Sequence, residues 1–205
     1  MKKYIAVAGT IGSGKSALID FLCKSYPLLA VPNPAADNPY LQDFFRDMKR
    51  WAFHSQIYFL SRKFQAFKNF STSFSSIITC RTIYEDAEIF ARNLYQSGYM
   101  SETDFMTYYQ LYLSISDSLP APDLLIYLHS TVSSSLRRLN ANLELGPGSP
   151  PPITEKYLRH LNRLYVNWIA DYDLSEVIII DTEQHDFTRN LVDRADILEA
   201  IERYI

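Results

Sequence analysis

The chain has 205 residues, 47% of them hydrophobic and 21% charged, with a formal net charge of −3. That is enough apolar material for one globular domain, taken as residues 1–205, with a substantial core. The slight acidity and the lack of a basic run argue against a nucleic-acid surface or an anionic-membrane surface.

No apolar stretch reaches the roughly 18 residues of a membrane span. The basic start Met1-Lys2-Lys3 precedes an apolar run too short for a signal peptide. Cys23 and Cys80 lie far apart and form no CxxC, which fits a reducing, cytoplasmic setting.

Lys3–Ala8 is short, apolar and bounded by glycine, the pattern of a buried strand. A helix follows over 15–26, with Ala17, Leu18, Phe21 and Leu22 on one face, and Leu28–Val31 reads as a second short strand. "PNPAADNP" is a proline-rich loop. From Leu41 to Phe70 the pattern is helical, with Phe53, Ile57, Leu60, Phe64 and Phe67 at steps of three and four. "FSTSFSS" at 70–76 is a polar break, overlapping at its end a strand over Ser76–Cys80.

Helices are expected over about 84–95, ended by Gly98, and over about 102–118. Asp123–His129 is a buried strand, followed by a helix to about Asn140. The low-complexity run "ELGPGSPPPI" at 144–153 is a loop. Thr154–Asp171 is helical, Val177–Asp181 the last strand, and Arg189–Tyr204 the closing helix. Strands alternating with helices predict an α/β fold, a five-stranded parallel sheet flanked by helices in three α/β/α layers. Ligands of such sheets sit beyond the carboxyl ends of the strands.

At the first such end lies Gly9-Thr10-Ile11-Gly12-Ser13-Gly14-Lys15-Ser16, which meets the G-x-x-x-x-G-K-[ST] spacing of a phosphate-binding P-loop. Glycines let successive N–H groups curl inward at an anion. The following helix adds its positive N-terminal end. Lys15 would neutralise the outer phosphates of ATP, and the Ser16 hydroxyl would bind Mg²⁺. A P-loop NTPase-type fold is therefore expected. A guanine-reading NKxD stretch is missing, which argues against a GTPase, and "DLLIYLHS" ends in His129 where a motor ATPase would place an acid. Small-molecule kinases remain, with a helical wall over the acceptor and a lid, here about 138–155, over the donor.

Residues 37–64, "DNPYLQDFFRDMKRWAFHSQIYFLSRKF", resemble the acceptor-site segment of the deoxynucleoside kinase family, of the bacterial deoxyadenosine and deoxyguanosine kinase type. "RTIYEDAEIFARNLYQSGYMS" at 81–101 is similar to that family's next block. "PDLLIYLHSTVSSSLRRL" and "YLRHLNRLYVNWIADYD" fit its later strand and helices, and "IIDTEQHDF" resembles the loop that packs on adenine. The resemblance implies ATP-dependent phosphorylation of the 5′-hydroxyl of a purine deoxynucleoside, Mg²⁺ and a homodimer formed through helices. It implies that Gln56 reads the base edge, Phe90 stacks on the base and Arg81 positions the acceptor. Trp51, Tyr58 and His54 read as packing or helix-face residues.

The chain departs from the family at several places. Asn33 stands where the resemblance implies a general-base carboxylate, and an amide has no useful basicity. Cys80 stands in place of a metal-side acid, although Mg²⁺ prefers oxygen. Phe45 replaces a tyrosine, and no arginine lies between Arg138 and Arg159, where the family's lid carries several. Asp37 could serve as a substitute carboxylate, and Glu144 could take the place of the lid glutamate that touches the sugar. Two readings follow: a working kinase, or a catalytically impaired member that keeps nucleotide binding for structure or regulation.

Overall fold

A computed structural model describes residues 2–72, 74–141 and 153–205. Its first strand, β1 (Tyr4–Ala8), is buried along its whole length. α1 (Lys15–Ser25) follows, then β2 (Leu28–Val31), α2 (Leu41–Arg46), α3 (Met48–Thr72) and β3 (Ser76–Cys80). Next come α4 (Ile83–Glu85), a π-helical stretch (Asp86–Ala91), α5 (Arg92–Gln96) and α6 (Glu102–Ser116). β4 (Leu124–His129), α7 (Val132–Ala141), α8 (Glu155–Ala170), β5 (Glu176–Asp181) and α9 (Leu191–Glu202) complete the order.

The strands form one sheet in the order β2-β3-β1-β4-β5, and every pairing is parallel. Strand alternation sorts β1 onto two faces. Ile5 and Val7 join Leu18 and Leu22 of α1 and Ile197 and Ile201 of α9. Tyr4, Ala6 and Ala8 join Phe67 and Phe70 of α3 and Leu161 and Tyr165 of α8. A third cluster packs α2, α3, α4 and α6 together through Phe44, Leu60, Ile83, Phe105 and Tyr108. The α/β/α layering matches the sequence expectation.

The predicted helical run over 41–70 is two helices. Asp47 leaves helical geometry at φ −143°, ψ 81°, and its Oδ1 accepts from the Arg50 N–H at 3.2 Å, capping the start of α3. The expected polar break begins later, because α3 continues to Thr72. The expected helix over 84–95 starts at Ile83 and contains the π stretch. The ends of the predicted lid belong to α7 and α8, while residues 142–152, Glu144 among them, lie outside the described residues.

Candidate active site

β1 runs straight into the glycine-rich turn at the centre of the sheet. Gly12 has φ +80°, and a Cβ there would lie 2.7 Å from the Ser135 carbonyl oxygen, so the turn closes on α7 only because residue 12 lacks a side chain. Gly14 enters α1 at φ +99°. The Lys15 ammonium donates to Gly9 O at 2.9 Å, Thr10 O at 2.6 Å and Ser13 Oγ at 3.2 Å. Burial first, and then nearby Arg81, lower its pKa to about 7. The Ser16 side chain is exposed at the mouth of the turn.

Arg138 ties three elements together behind this turn. Its Nη1 donates to Gly12 O at 3.5 Å, Ser130 Oγ at 3.0 Å and Thr182 Oγ1 at 3.1 Å, and its Nη2 to Thr182 O at 3.2 Å. The 179–187 segment expected against adenine therefore adjoins the phosphate turn. Buried Phe187 would come within 3.5 Å of a Cβ on Gly14.

Beyond the ends of β1 and β3 lies a cavity of about 220 Å³. It brings together Asn33, Phe45, Gln56, Cys80, Arg81 and Phe90, which the sequence singled out from four separate segments. Gln56 is 5% exposed, and its Oε1 has no hydrogen-bond partner among the described residues. A buried acceptor left unmet at a cavity wall is the arrangement a ligand donor completes. Phe90 carries the Arg81 guanidinium over its ring, 4.6 Å from the centroid.

Arg81 follows β3 with φ +66°, a left-handed conformation rare for a side-chain-bearing residue. Its N–H still donates to Val7 O at 3.0 Å, so the sheet fixes the backbone while the side chain turns into the cavity. Among the described residues Arg81 makes no ion pair with Glu85, whose carboxylate instead accepts from Thr82 N–H and the Tyr165 hydroxyl.

Asn33 Oδ1 accepts from Ala35 N–H at 3.1 Å, an Asx turn within the proline-rich loop. Tyr58 holds that loop on α3 by donating to Asp37 O at 2.7 Å. Asn38 does the same by donating to Ser55 Oγ at 3.0 Å. Asp37 lines a neighbouring cavity of about 190 Å³ that shares Asn33, Lys63, Cys80 and Arg81 with the first. His54 and Trp51 pack against Tyr40 and each other. Glu144 lies outside the described residues.

The sequence reading missed Lys63 and Asp86. They form a buried ion pair at 2.7 Å and line the same cavity. Helical spacing held the signal: Lys63 is two turns beyond Gln56, and Asp86 one turn before Phe90. Among the described residues no group of three or more His, Cys, Asp or Glu could hold a metal ion, and no helix is long and apolar enough to cross a membrane.

The central parallel strand, the glycine turn and the helix opening on Lys15-Ser16 make this a P-loop NTPase fold. The sequence model of the family described as "Deoxynucleoside kinase" matches residues 5–205, and the chain belongs to that family. It is 34% identical over 184 residues to the deoxyadenosine/deoxycytidine kinase of Bacillus subtilis (strain 168), covering 89% of this chain and 83% of that protein. It is 32% identical to a deoxyguanosine kinase of Lactobacillus acidophilus, covering 96% and 88%. The solved structure of M. mycoides deoxyadenosine kinase with bound dATP matches with a TM-score of 0.82 at 26% identity, over 97% and 99% of the two chains. These relatives bear the names of kinases and lend no support to the catalytically impaired alternative.

Proposed function

We propose that this chain transfers the γ-phosphoryl group of ATP to the 5′-hydroxyl of a deoxynucleoside, with a purine as the preferred base. The observation that carries the reading is the unmet, buried Gln56 Oε1 in a cavity next to a phosphate-binding turn. A nucleobase offers an exocyclic or ring N–H to that oxygen and a face to Phe90, and a sugar phosphate offers no such face.

In this reading the backbone N–H groups of residues 9–16 cradle the donor phosphates. Lys15 leaves the carbonyls of Gly9 and Thr10 to meet them, and a bound polyphosphate restores the proton that burial disfavours. Ser16 would hold Mg²⁺: its exposed hydroxyl suits a metal bound mainly through phosphates and water, with one or two protein oxygens. The metal would supply charge neutralisation on the phosphates. Phe45 closes the cavity beside the base, and Arg81 faces the acceptor oxygen.

Transfer through a loose transition state depends on positioning and electrostatics more than on early proton removal. That is why an amide at position 33 is compatible with turnover. Glu144 would touch the sugar from the lid. We further propose a homodimer through α3 and α6, the latter leaving Met106, Leu111 and Leu113 exposed, and a cytoplasmic setting, consistent with two free thiols.

The test is incubation with Mg-ATP and each deoxynucleoside in turn, followed by chromatography for ADP and the 5′-monophosphate. Equal amounts of both products, greatest with a purine, support the reading. ADP formed equally without nucleoside would overturn it.

A further inference from the structure

Glu85 is a fully buried carboxylate for which the proposed reaction has no direct use. Its Oε2 accepts from the Thr82 N–H at 2.8 Å, and its Oε1 from the Tyr165 hydroxyl at 2.8 Å. Tyr165 is fully buried as well, stands edge-on to Phe90 at 6.4 Å, and lies close enough to Arg81 for the two to interact electrostatically. Arg81 lies across that same Phe90 ring. A buried carboxylate, the phenol bonded to it and the guanidinium at the cavity wall are therefore neighbours, the last two packed on the one Phe90 ring.

We infer that Glu85 and Tyr165 are positioning residues that fix the Arg81 guanidinium against Phe90 before substrate arrives. This rests on the kinase reading above. A phenol that donates to a carboxylate carries more negative charge on its oxygen, because hydrogen bonding polarises the group at low dielectric, and a more negative oxygen holds a neighbouring guanidinium more strongly. An arginine held in place beforehand loses no rotamer freedom during reaction, so its charge acts fully on the developing phosphoryl charge.

The cations around Glu85 are Lys63 of α3, Arg81 after β3 and Lys15 of α1. The hydroxyls around it come from Tyr4 of β1, Tyr127 of β4, and Tyr165 and Tyr172 of the α8 region. Burial raises the Glu85 pKa above the usual carboxylate range, while Lys63, Arg81, Tyr165 and the Thr82 N–H pull it back. Protonation of Glu85 therefore removes the charge that anchors this cluster.

The experiment compares Glu85→Gln and Tyr165→Phe, each alone and with Arg81→Lys. Glutamine serves equally well at this position of a capping box, so Glu85→Gln removes charge while keeping the turn. Each single variant should lose about tenfold in kcat with a much smaller change in the deoxynucleoside KM. In the Arg81→Lys background the same changes should cost less than about twofold. The wild type should lose kcat on the acid side, and Glu85→Gln should lack that decline. A Glu85→Gln enzyme with wild-type kcat and acid limb overturns the inference, as does an equal loss in the Arg81→Lys background.

Should Glu85→Gln fail to fold, Tyr165→Phe carries the same cycle. Should the wild type show no turnover, the kinase reading fails alone. The inference is then decided by ¹⁵N NMR of the Arg81 guanidinium, whose bond rotation should be slow in the wild type and fast in either variant. Equal rotation rates in all three would overturn it.

Discussion

Lys63 Nζ lies 2.7 Å from Asp86 Oδ2, with each side chain less than a tenth exposed, and the pair joins α3 to the π stretch at the cavity wall. Lys63 also donates to Thr82 O at 3.0 Å, so its ammonium is satisfied from two sides. Removing one member leaves the other charge buried and uncompensated, which costs about 3–5 kcal/mol. Lys63→Met should lower the unfolding free energy by that amount in urea titration. The double variant Lys63→Met/Asp86→Leu should recover much of the loss. A single-variant cost below about 1 kcal/mol, the range of an exposed pair, would contradict the buried pair.

Gly12 and Gly98 both have positive φ, at +80° and +73°, but only Gly12 faces backbone within 3 Å. Gly98→Ala should cost about 1–2 kcal/mol of stability and leave the thermal shift produced by Mg-ATP intact. Gly12→Ala should abolish that shift, because the turn must move off Ser135 to admit the methyl group. A thermal-shift comparison of the two variants with and without Mg-ATP checks both.

The five strands were legible because strands buried between helices are continuous apolar runs, and "YIAVA" and "LLIYLH" allow no other reading. The phosphate turn was legible because its chemistry is local and its spacing fixed. Asp47 was missed because the phenylalanine stripe continues past it, although an Asp three residues before Arg50 on a helix is a capping signal. The π stretch had no signature, since one wide turn leaves the apolar pattern almost unchanged. Lys63 and Asp86 were passed over because their pairing exists only once folding joins two distant helices. Glu85 was passed over, although Thr82-Ile83-Tyr84-Glu85 has the pattern of a capping box.

Asn33 and Cys80 line both cavities beside Arg81, at positions where the family resemblance implies acids. Asn33→Glu with Cys80→Asp should raise kcat by at least about tenfold, a modest share of what a positioned base can contribute. Steady-state rates with saturating Mg-ATP measure this. An unchanged or lower rate in a folded double variant would show that neither position faces the reacting atoms.

Glu85 also gives stability a pH dependence. Because burial raises its pKa on folding, the folded chain binds this proton more readily than the unfolded chain does. Stability from this group therefore falls as pH rises from the ordinary glutamate value of 4.5 through the raised one. Wild type should gain melting temperature relative to Glu85→Gln as pH is lowered from about 7 toward about 5. Parallel melting curves across that range would contradict the raised value.

The most direct test of the account is a crystal structure with ADP and deoxyadenosine bound. The account predicts ADP phosphate oxygens on the N–H groups of residues 9–16 and on the Lys15 ammonium. It places the base edge on Gln56, the ring against Phe90 and the 5′-oxygen on the Arg81 side of the cavity. A complex with that turn empty, and with Lys15 still bonded to the carbonyls of Gly9 and Thr10, would contradict it.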